Sequence, residues 1–136
     1  MSKLTRENAI LSFRTTGDLS DHLGEAVSMS LPNGVPTVEL LPDPDSKPFG
    51  IIIHADSERA SVAVISGGLA GTVKVKLQES AYAGNELYIY NVGGVAGFGD
   101  VVEGAPSGKY ICAVAMESGL TGELIEAVLF RPVLAP

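Results

Sequence analysis

The sequence predicts an all-β fold: a small β-barrel or sandwich built from a duplicated β-unit, with an N-terminal extended arm. Short apolar segments recur along the 136-residue chain, and 16 glycines and 8 prolines divide them into short elements. Related segments also return at a fixed spacing, which indicates an internal duplication. A chain of this length is enough for one domain with one hydrophobic core.

The first part of the chain predicts an N-terminal arm and at most a short turn of helix after it. Residues 9–15 have the composition of a strand behind a polar start, and we assign residues 1–16 to an N-terminal arm of the kind that adds to a partner's sheet. Residues 18–29 carry apolar side chains at roughly helical spacing behind a possible cap at Asp18. Gly24 interrupts this pattern, so we expect a short turn of helix at most.

Strands dominate from residue 50 onwards. Residues 72–77 and 86–90 alternate strictly, which is the pattern of strands with two different faces. Three short apolar runs indicate strands buried on both faces: residues 50–55, 62–65 and 110–115. Turns rich in proline or glycine separate the elements at residues 32–36, 42–48, 66–68, 92–94 and 104–108.

An internal repeat relates residues 24–77 approximately to residues 84–130. Three pairs of segments share an offset of 60 positions: those beginning at Gly24 and Gly84, at Asn33 and Gly93, and at Ile51 and Ile111. The Gly-Leu-x-Gly turns at 68–71 and 119–122 form a fourth pair in the same order, at an offset of 51. Two copies are too few for an open stack, so we expect the unit to close into a single β-domain spanning residues 17–136.

The composition excludes several classes of partner. The formal net charge is −7 and the nine basic residues are scattered, so the chain lacks the basic surface that nucleic-acid phosphates require. No apolar run approaches the ~20 residues that span a bilayer, and no signal-peptide pattern is present. We therefore expect no nucleic-acid partner, no membrane partner, and folding in a reducing cytoplasm.

The sequence contains no constellation that predicts catalysis, a cofactor or a metal ion. His22 follows Asp21 and His54 lies two positions before Asp56, but neither pair has the further convergent ligands that a site needs. Residues 43–45 are acidic, yet the glycine and glutamate positions of a calcium loop are missing. We expect the protein not to be an enzyme, and we assign no catalytic, cofactor-binding or metal-binding residue.

Three further features have structural interpretations. Cys112 lies in an apolar strand, where a thiol serves as a small buried hydrophobe. Residues 93–99 are rich in glycine but lack phosphate-loop spacing, so we expect a wide hairpin loop there. Tyr82, Tyr88 and Tyr90 lack the basic neighbours of a base-stacking platform, which favours the rim of the core or a subunit interface.

The order of these elements resembles the capsid cement, or head decoration, proteins of tailed bacteriophages. The resemblance covers residues 17–130. A glycine turn leads into a short strand (24–29 and 83–89), a Gly-Val loop and an apolar strand follow (50–55 and 111–115), and a second glycine turn leads into another strand (120–125). The longer loop after Ala55 and the proline-rich segment 42–48 depart from this order.

This resemblance implies a β-barrel-like structural protein that binds the outer surface of the expanded phage capsid and stabilises it. Its partners would be the major capsid protein lattice and further copies of the chain in a homotrimer, with the segment through Thr15 reaching onto the capsid. Its location would be the virion, after synthesis in the host cytoplasm. Two alternatives stay open: another virion component, such as a head fibre base or a tail protein, and a small-molecule-binding β-barrel with an apolar cavity.

Overall fold

The computed structural model describes residues 10–43, 45–67, 71–104 and 106–136. The fold is all-β, as predicted, and within these ranges ten strands form two five-stranded sheets. The strands are β1 (Ile10–Thr15), β2 (Ala26–Ser30), β3 (Thr37–Leu40), β4 (Gly50–Ala55), β5 (Arg59–Val64), β6 (Val73–Lys76), β7 (Glu86–Val92), β8 (Val95–Asp100), β9 (Tyr110–Ala115) and β10 (Leu124–Leu134). None of the helical turns in these ranges has the length and apolar character needed to cross a membrane.

The first sheet is a closed barrel with the strand order β1-β3-β2-β4-β5. Strand β1 pairs in parallel with β3 and antiparallel with β5, which closes the ring. Buried side chains fill the interior, among them Phe13, Val27, Val38, Ile52 and Val62. Because the ring is closed, each strand has a paired neighbour on both sides, although the β1–β3 and β2–β4 pairs cover only two residues of each strand.

The second sheet repeats this order with β6, β7, β8, β9 and β10 in the places of β1 to β5. Its two outer strands, β6 and β8, are joined among the described residues by a single parallel bridge between Leu77 and Phe98. That bridge corresponds to the parallel pair Thr15–Val38 of the first barrel. The second sheet is therefore a barrel with a weakly closed seam between β6 and β8.

The registers show that the two sheets are copies of one unit. Met29 pairs with Val38 in the first sheet, and Ile89 pairs with Phe98 in the second, an offset of 60 for both strands. Gly24 donates its amide hydrogen to the Ile52 carbonyl, as Gly84 does to the Ala115 carbonyl. We call residues 10–67 repeat 1 and residues 73–134 repeat 2.

These repeats have different boundaries from the predicted 24–77 and 84–130. By pairing order β10 corresponds to β5, and β6 corresponds to β1, whereas the fourth sequence match had aligned β6 with β10. The two Gly-Leu-x-Gly segments resemble each other because both precede strands, although these strands occupy different places in the two sheets. In β4 and β9 the structural offset is 63, since Ile52 corresponds to Ala115, so the sequence offset of 60 fails there.

The described residues nearest the N-terminus belong to the first barrel. Residues 10–15 of the expected arm are strand β1, whose pairs with β5 run from Ile10–Ala63 to Arg14–Arg59. Phe13 is buried in the barrel, so apolar burial holds this segment in the fold. Residues 1–9 lie outside the described residues. Residues 18–29 form no α-helix, because a turn closes between His22 and Glu25 and β2 begins at Ala26.

The predicted wide loop at residues 93–99 is wrong. Gly93 and Gly94 both have positive φ and form a two-residue turn, so β8 begins at Val95 and pairs with β7 along its whole length. The glycine that suggested a loop at position 99 has a packing role instead, because a Cβ there would lie 2.8 Å from the ring of Tyr88. Glycine allows this close approach inside a strand.

The two repeats share a hydrophobic core. Ala26, Ile51 and Ala63 of repeat 1 are fully buried in the same cluster as the interior of repeat 2. The Gly24 carbonyl accepts a hydrogen bond from the amide of Lys76 in β6, at 2.9 Å. Repeat 1 therefore covers part of the seam of repeat 2 and satisfies donors that the incomplete ring leaves open.

Candidate interaction surfaces

His22 has a structural role at the junction of the repeats. Its Nδ1 lies 3.0 Å from Oε2 of Glu25, whose side chain is 1% exposed. The other oxygen of Glu25 accepts a hydrogen bond from the amide of Ala96 at 2.9 Å. Sequence reasoning missed Glu25. The sequence indicates this residue only as a carboxylate directly before an apolar strand. Its partner Ala96 lies 71 residues further along the chain, so local sequence patterns do not reveal the contact.

The second histidine pair belongs to a turn. Asp56 accepts hydrogen bonds from the amides of Glu58 and Arg59 at 2.9 and 2.8 Å, which closes the connection between β4 and β5. These hydrogen bonds lower the pKa of Asp56. His54 is exposed at the end of β4. The geometry of Asp56 is that of an Asx turn rather than that of a ligand for a metal ion.

The carboxylates of Asp43 and Asp45 bind a backbone amide and a lysine side chain, respectively. Asp43 Oδ1 accepts the amide hydrogen of Asp45 at 2.9 Å, and the Asp45 carboxylate binds Lys109 Nζ at 2.8 Å. Across the described parts of the chain, no group of three or more His, Cys, Asp or Glu side chains is placed to hold a metal ion. The two carboxylates thus point to different partners and do not form a cation site.

Cys112 is fully buried, as the sequence predicts. Burial raises the pKa of its thiol to about 12, because a thiolate is poorly stabilised in an apolar surrounding. A protonated, inaccessible thiol packs as a small apolar side chain and does not act as a nucleophile.

Of the three tyrosines Tyr82, Tyr88 and Tyr90, the last two lie together on repeat 2. Tyr88 is nearly buried and donates its hydroxyl hydrogen to Glu79 at 3.2 Å, and its ring lies 5.7 Å from that of Tyr90. With Val92 and Lys109 they line an open groove of about 410 Å³. Tyr82 lies away from this groove, in the turn before β7, and is 56% exposed.

Large apolar side chains are exposed on both repeats. The two most exposed of them among the described residues, Val102 at 70% and Leu120 at 66%, lie at one end of repeat 2 together with Tyr82 and Met116. Leu31 on repeat 1 and Val133 near the C-terminus are 59% and 57% exposed. Because water disfavours exposed apolar area, side chains of this kind are suited to contact with another macromolecule.

No protein-family model matches the chain, and no curated protein matches it.

Proposed function

We propose that the protein is a head decoration, or cement, protein of a tailed bacteriophage. In this role it binds the outer surface of the expanded capsid, stabilises the lattice without catalysing a reaction, and is located in the virion after synthesis in the host cytoplasm. The observation that carries the proposal is the exposed apolar area on a two-barrel scaffold with a shared core. The resemblance in element order to cement proteins adds to it.

The proposed mechanism is linkage between binding and capsid expansion. A protein that binds only the expanded lattice lowers the free energy of that state by RT ln(1 + [L]/Kd) at each site. We also propose that the chain acts as a homotrimer, so that one particle contacts several capsid subunits. Weak individual contacts then add through multivalency.

Residues 1–9 form the remaining candidate for a segment that reaches onto the capsid. The original hypothesis extended to Thr15, but residues 10–15 are a barrel strand and their removal would open repeat 1. Deletion of residues 1–9 leaves β1 intact and is the appropriate test. Binding that is unchanged after this deletion would exclude a role for the segment.

The experiment is co-sedimentation of the purified protein with expanded heads that lack it, in parallel with unexpanded proheads. We expect saturable binding to expanded heads at a fixed ratio to the capsid subunit, and little binding to proheads. Absence of binding to both particles would refute the proposal. The saturation ratio also tests the trimer, which requires multiples of three copies at each site.

A second candidate function is binding of a small molecule, which the open groove beside Tyr88 and Tyr90 favours. The groove combines aromatic rings with the charged groups of Glu79 and Lys109. A ligand there would raise the melting temperature of the wild type and not that of Tyr90→Ala. A metabolite screen without any such shift would remove this candidate.

A further inference from the structure

We infer that one end of repeat 2 is the face that contacts the capsid, and that its partner is a patch of the shell protein with an apolar centre and a basic rim. This end, which we call the acidic tip, consists of residues 77–85, 101–104 and 116–123. The inference rests on the proposed function and adds the contact surface and the chemistry of the partner.

The acidic tip exposes four large apolar side chains. Val102 is 70% exposed, Leu120 66%, Tyr82 56% and Met116 54%. They belong to three loops at the end where β6, β8 and β9 finish and where β7 and β10 begin. Transfer of this apolar area out of water favours binding of a partner.

The fold does not require these side chains to be apolar. The positions of repeat 1 that correspond to Tyr82 and Val102, at the offset of 60, carry His22 and Pro42. The same scaffold thus forms with different residues at these places. At Tyr82 and Val102 the apolar character is therefore a property of repeat 2 only, whereas Met116 corresponds to the apolar Ile53 at the offset of 63.

Hydrogen bonds hold the loops of the acidic tip in place. The buried carboxylate of Asp100 accepts the amide hydrogens of Tyr82 at 3.0 Å and of Val102 at 2.8 Å. Ala81 and Gly119 exchange two backbone hydrogen bonds, both of 3.0 Å. The exposed side chains therefore project from an ordered frame, and less backbone entropy is lost when a partner binds.

The charge of the acidic tip selects the partner. Its three loops contain no lysine or arginine. Three exposed glutamates lie in these loops: Glu103, Glu117 and Glu123. Two basic side chains adjoin them on β6, Lys76 at the end of the strand and Lys74, whose Nζ lies 3.8 Å from Glu117 Oε1, so the surface stays acidic overall. Apolar side chains that share their loops with carboxylates bind best to an apolar patch bordered by lysine or arginine, and a partner with like charges is repelled.

The first test compares two triple variants in co-sedimentation with expanded heads. The variant Tyr82→Ser/Val102→Ser/Leu120→Ser removes apolar area at the acidic tip. The control variant, Leu31→Ser/Val92→Ser/Val133→Ser, removes side chains of similar exposure elsewhere. We expect the Kd of the first to rise at least tenfold and that of the control to stay within twofold of the wild type.

The second test reverses charge at one exposed position in each repeat. We expect Glu103→Lys, at the acidic tip, to raise the Kd and to weaken the dependence of binding on salt, and Glu58→Lys, on repeat 1, to change neither. These single changes decide the question even if the triple tip variant fails to fold, which thermal melts of all variants would reveal.

The possible outcomes separate this inference from the proposed function. If the wild type binds expanded heads and both tip variants bind equally well, the acidic tip is not the contact face, although the decoration function stands. If the tip variants lose binding and the controls keep it, the inference is supported. If the wild type binds neither heads nor proheads, the proposed function fails, and the inference fails with it.

Discussion

The buried carboxylate of Glu25 in repeat 1 binds the backbone amide of Ala96 in repeat 2, with 2.9 Å between Oε1 and N. This contact lies at the seam of repeat 2, where β8 has no complete strand partner. The position in repeat 1 that corresponds to Ala96 is Pro36, which has no amide hydrogen. Neither copy therefore leaves an unpaired amide hydrogen at this position. In repeat 1 the residue is a proline, which has no amide hydrogen, and in repeat 2 the amide hydrogen is bound by the carboxylate of Glu25 from repeat 1.

Substitution of Glu25 tests how much this contact stabilises the fold. We expect Glu25→Ala to lower the free energy of unfolding by about 2–3 kcal/mol, because the amide of Ala96 is left without an acceptor and a cavity forms at the seam. Glu25→Gln keeps an oxygen of the same reach and is expected to lose less. Urea unfolding of the three proteins measures both effects. A loss below 0.5 kcal/mol for the alanine variant, roughly the effect of an ordinary surface change, would contradict this role.

Gly24 lies beside Glu25 and is constrained twice. It has a φ of +81°, and a Cβ there would lie 2.5 Å from Leu124 Cδ2 and 2.8 Å from the amide nitrogen of Lys76. Gly122 has a similar φ of +89° with open space around it, so it isolates the backbone effect. We expect Gly122→Ala to reduce stability by about 1 kcal/mol and Gly24→Ala by about 3 kcal/mol, because overpacking adds to the backbone strain. Equal losses in thermal or urea unfolding would show that Leu124 and Lys76 can move aside for a Cβ at position 24 at little cost in free energy.

The sequence predicted the strands that have a clear hydrophobic pattern. Alternation identified β6 and the first part of β7, and continuous apolar runs identified β4, the second half of β5, and β9. It failed for β8, whose glycines at positions 97 and 99 are typical of a loop. A Cβ at either position would lie 2.8 Å from an atom of Lys76, Gln78 or Tyr88, and such contacts between distant segments are not visible in local composition.

The sequence also predicted a duplication but not its true alignment. The offset of 60 holds for β2 and β3 against β7 and β8, where a turn and a hairpin fix the register. The offset then grows to 63, because 15 positions separate Asp100 from Ala115 whereas 12 separate the corresponding Leu40 from Ile52, so identities at one fixed offset no longer mark equivalent residues. The acidic tip could not be predicted either, because its three loops meet only in the folded chain.

Asp100 makes a defined contribution to acid sensitivity. Burial raises the pKa of its carboxyl group, whereas hydrogen bonds from the Asn85 side chain and from backbone amides lower it. The hydrogen bonds together outweigh burial, so the pKa lies below its usual value. Unfolding raises the pKa to about 3.9. The stabilisation by the ionised group is therefore complete well above that value and is lost as the pH falls through the lower pKa of the folded state.

The variant Asp100→Asn isolates this contribution. We expect it to be less stable than the wild type at pH 7, because an amide cannot accept all the hydrogen bonds that the carboxylate receives. The difference in free energy of unfolding between the two proteins should stay constant above about pH 5 and shrink below about pH 4. The pKa values of Asp18 and Asp56 are also lowered, but both residues are present in the two proteins, so their contribution cancels when the free energy of unfolding of the variant is subtracted from that of the wild type. A difference that stays constant down to pH 2 would contradict the assignment.

The thiol of Cys112 should be unreactive in the folded protein. With a pKa of about 12, only about one thiol in ten thousand is ionised at pH 8, and the side chain is fully buried. We expect alkylation by a maleimide reagent to proceed at less than roughly a hundredth of the rate measured in about 8 M urea, because the buried thiol can react only when the barrel opens. An exposed thiol at Ser57→Cys, placed in a Cys112→Ala background, provides the control and should react equally fast in both solvents. Rapid labelling of Cys112 in native buffer would show that β9 and β10 separate readily, and the second barrel would then be less rigid than its register implies.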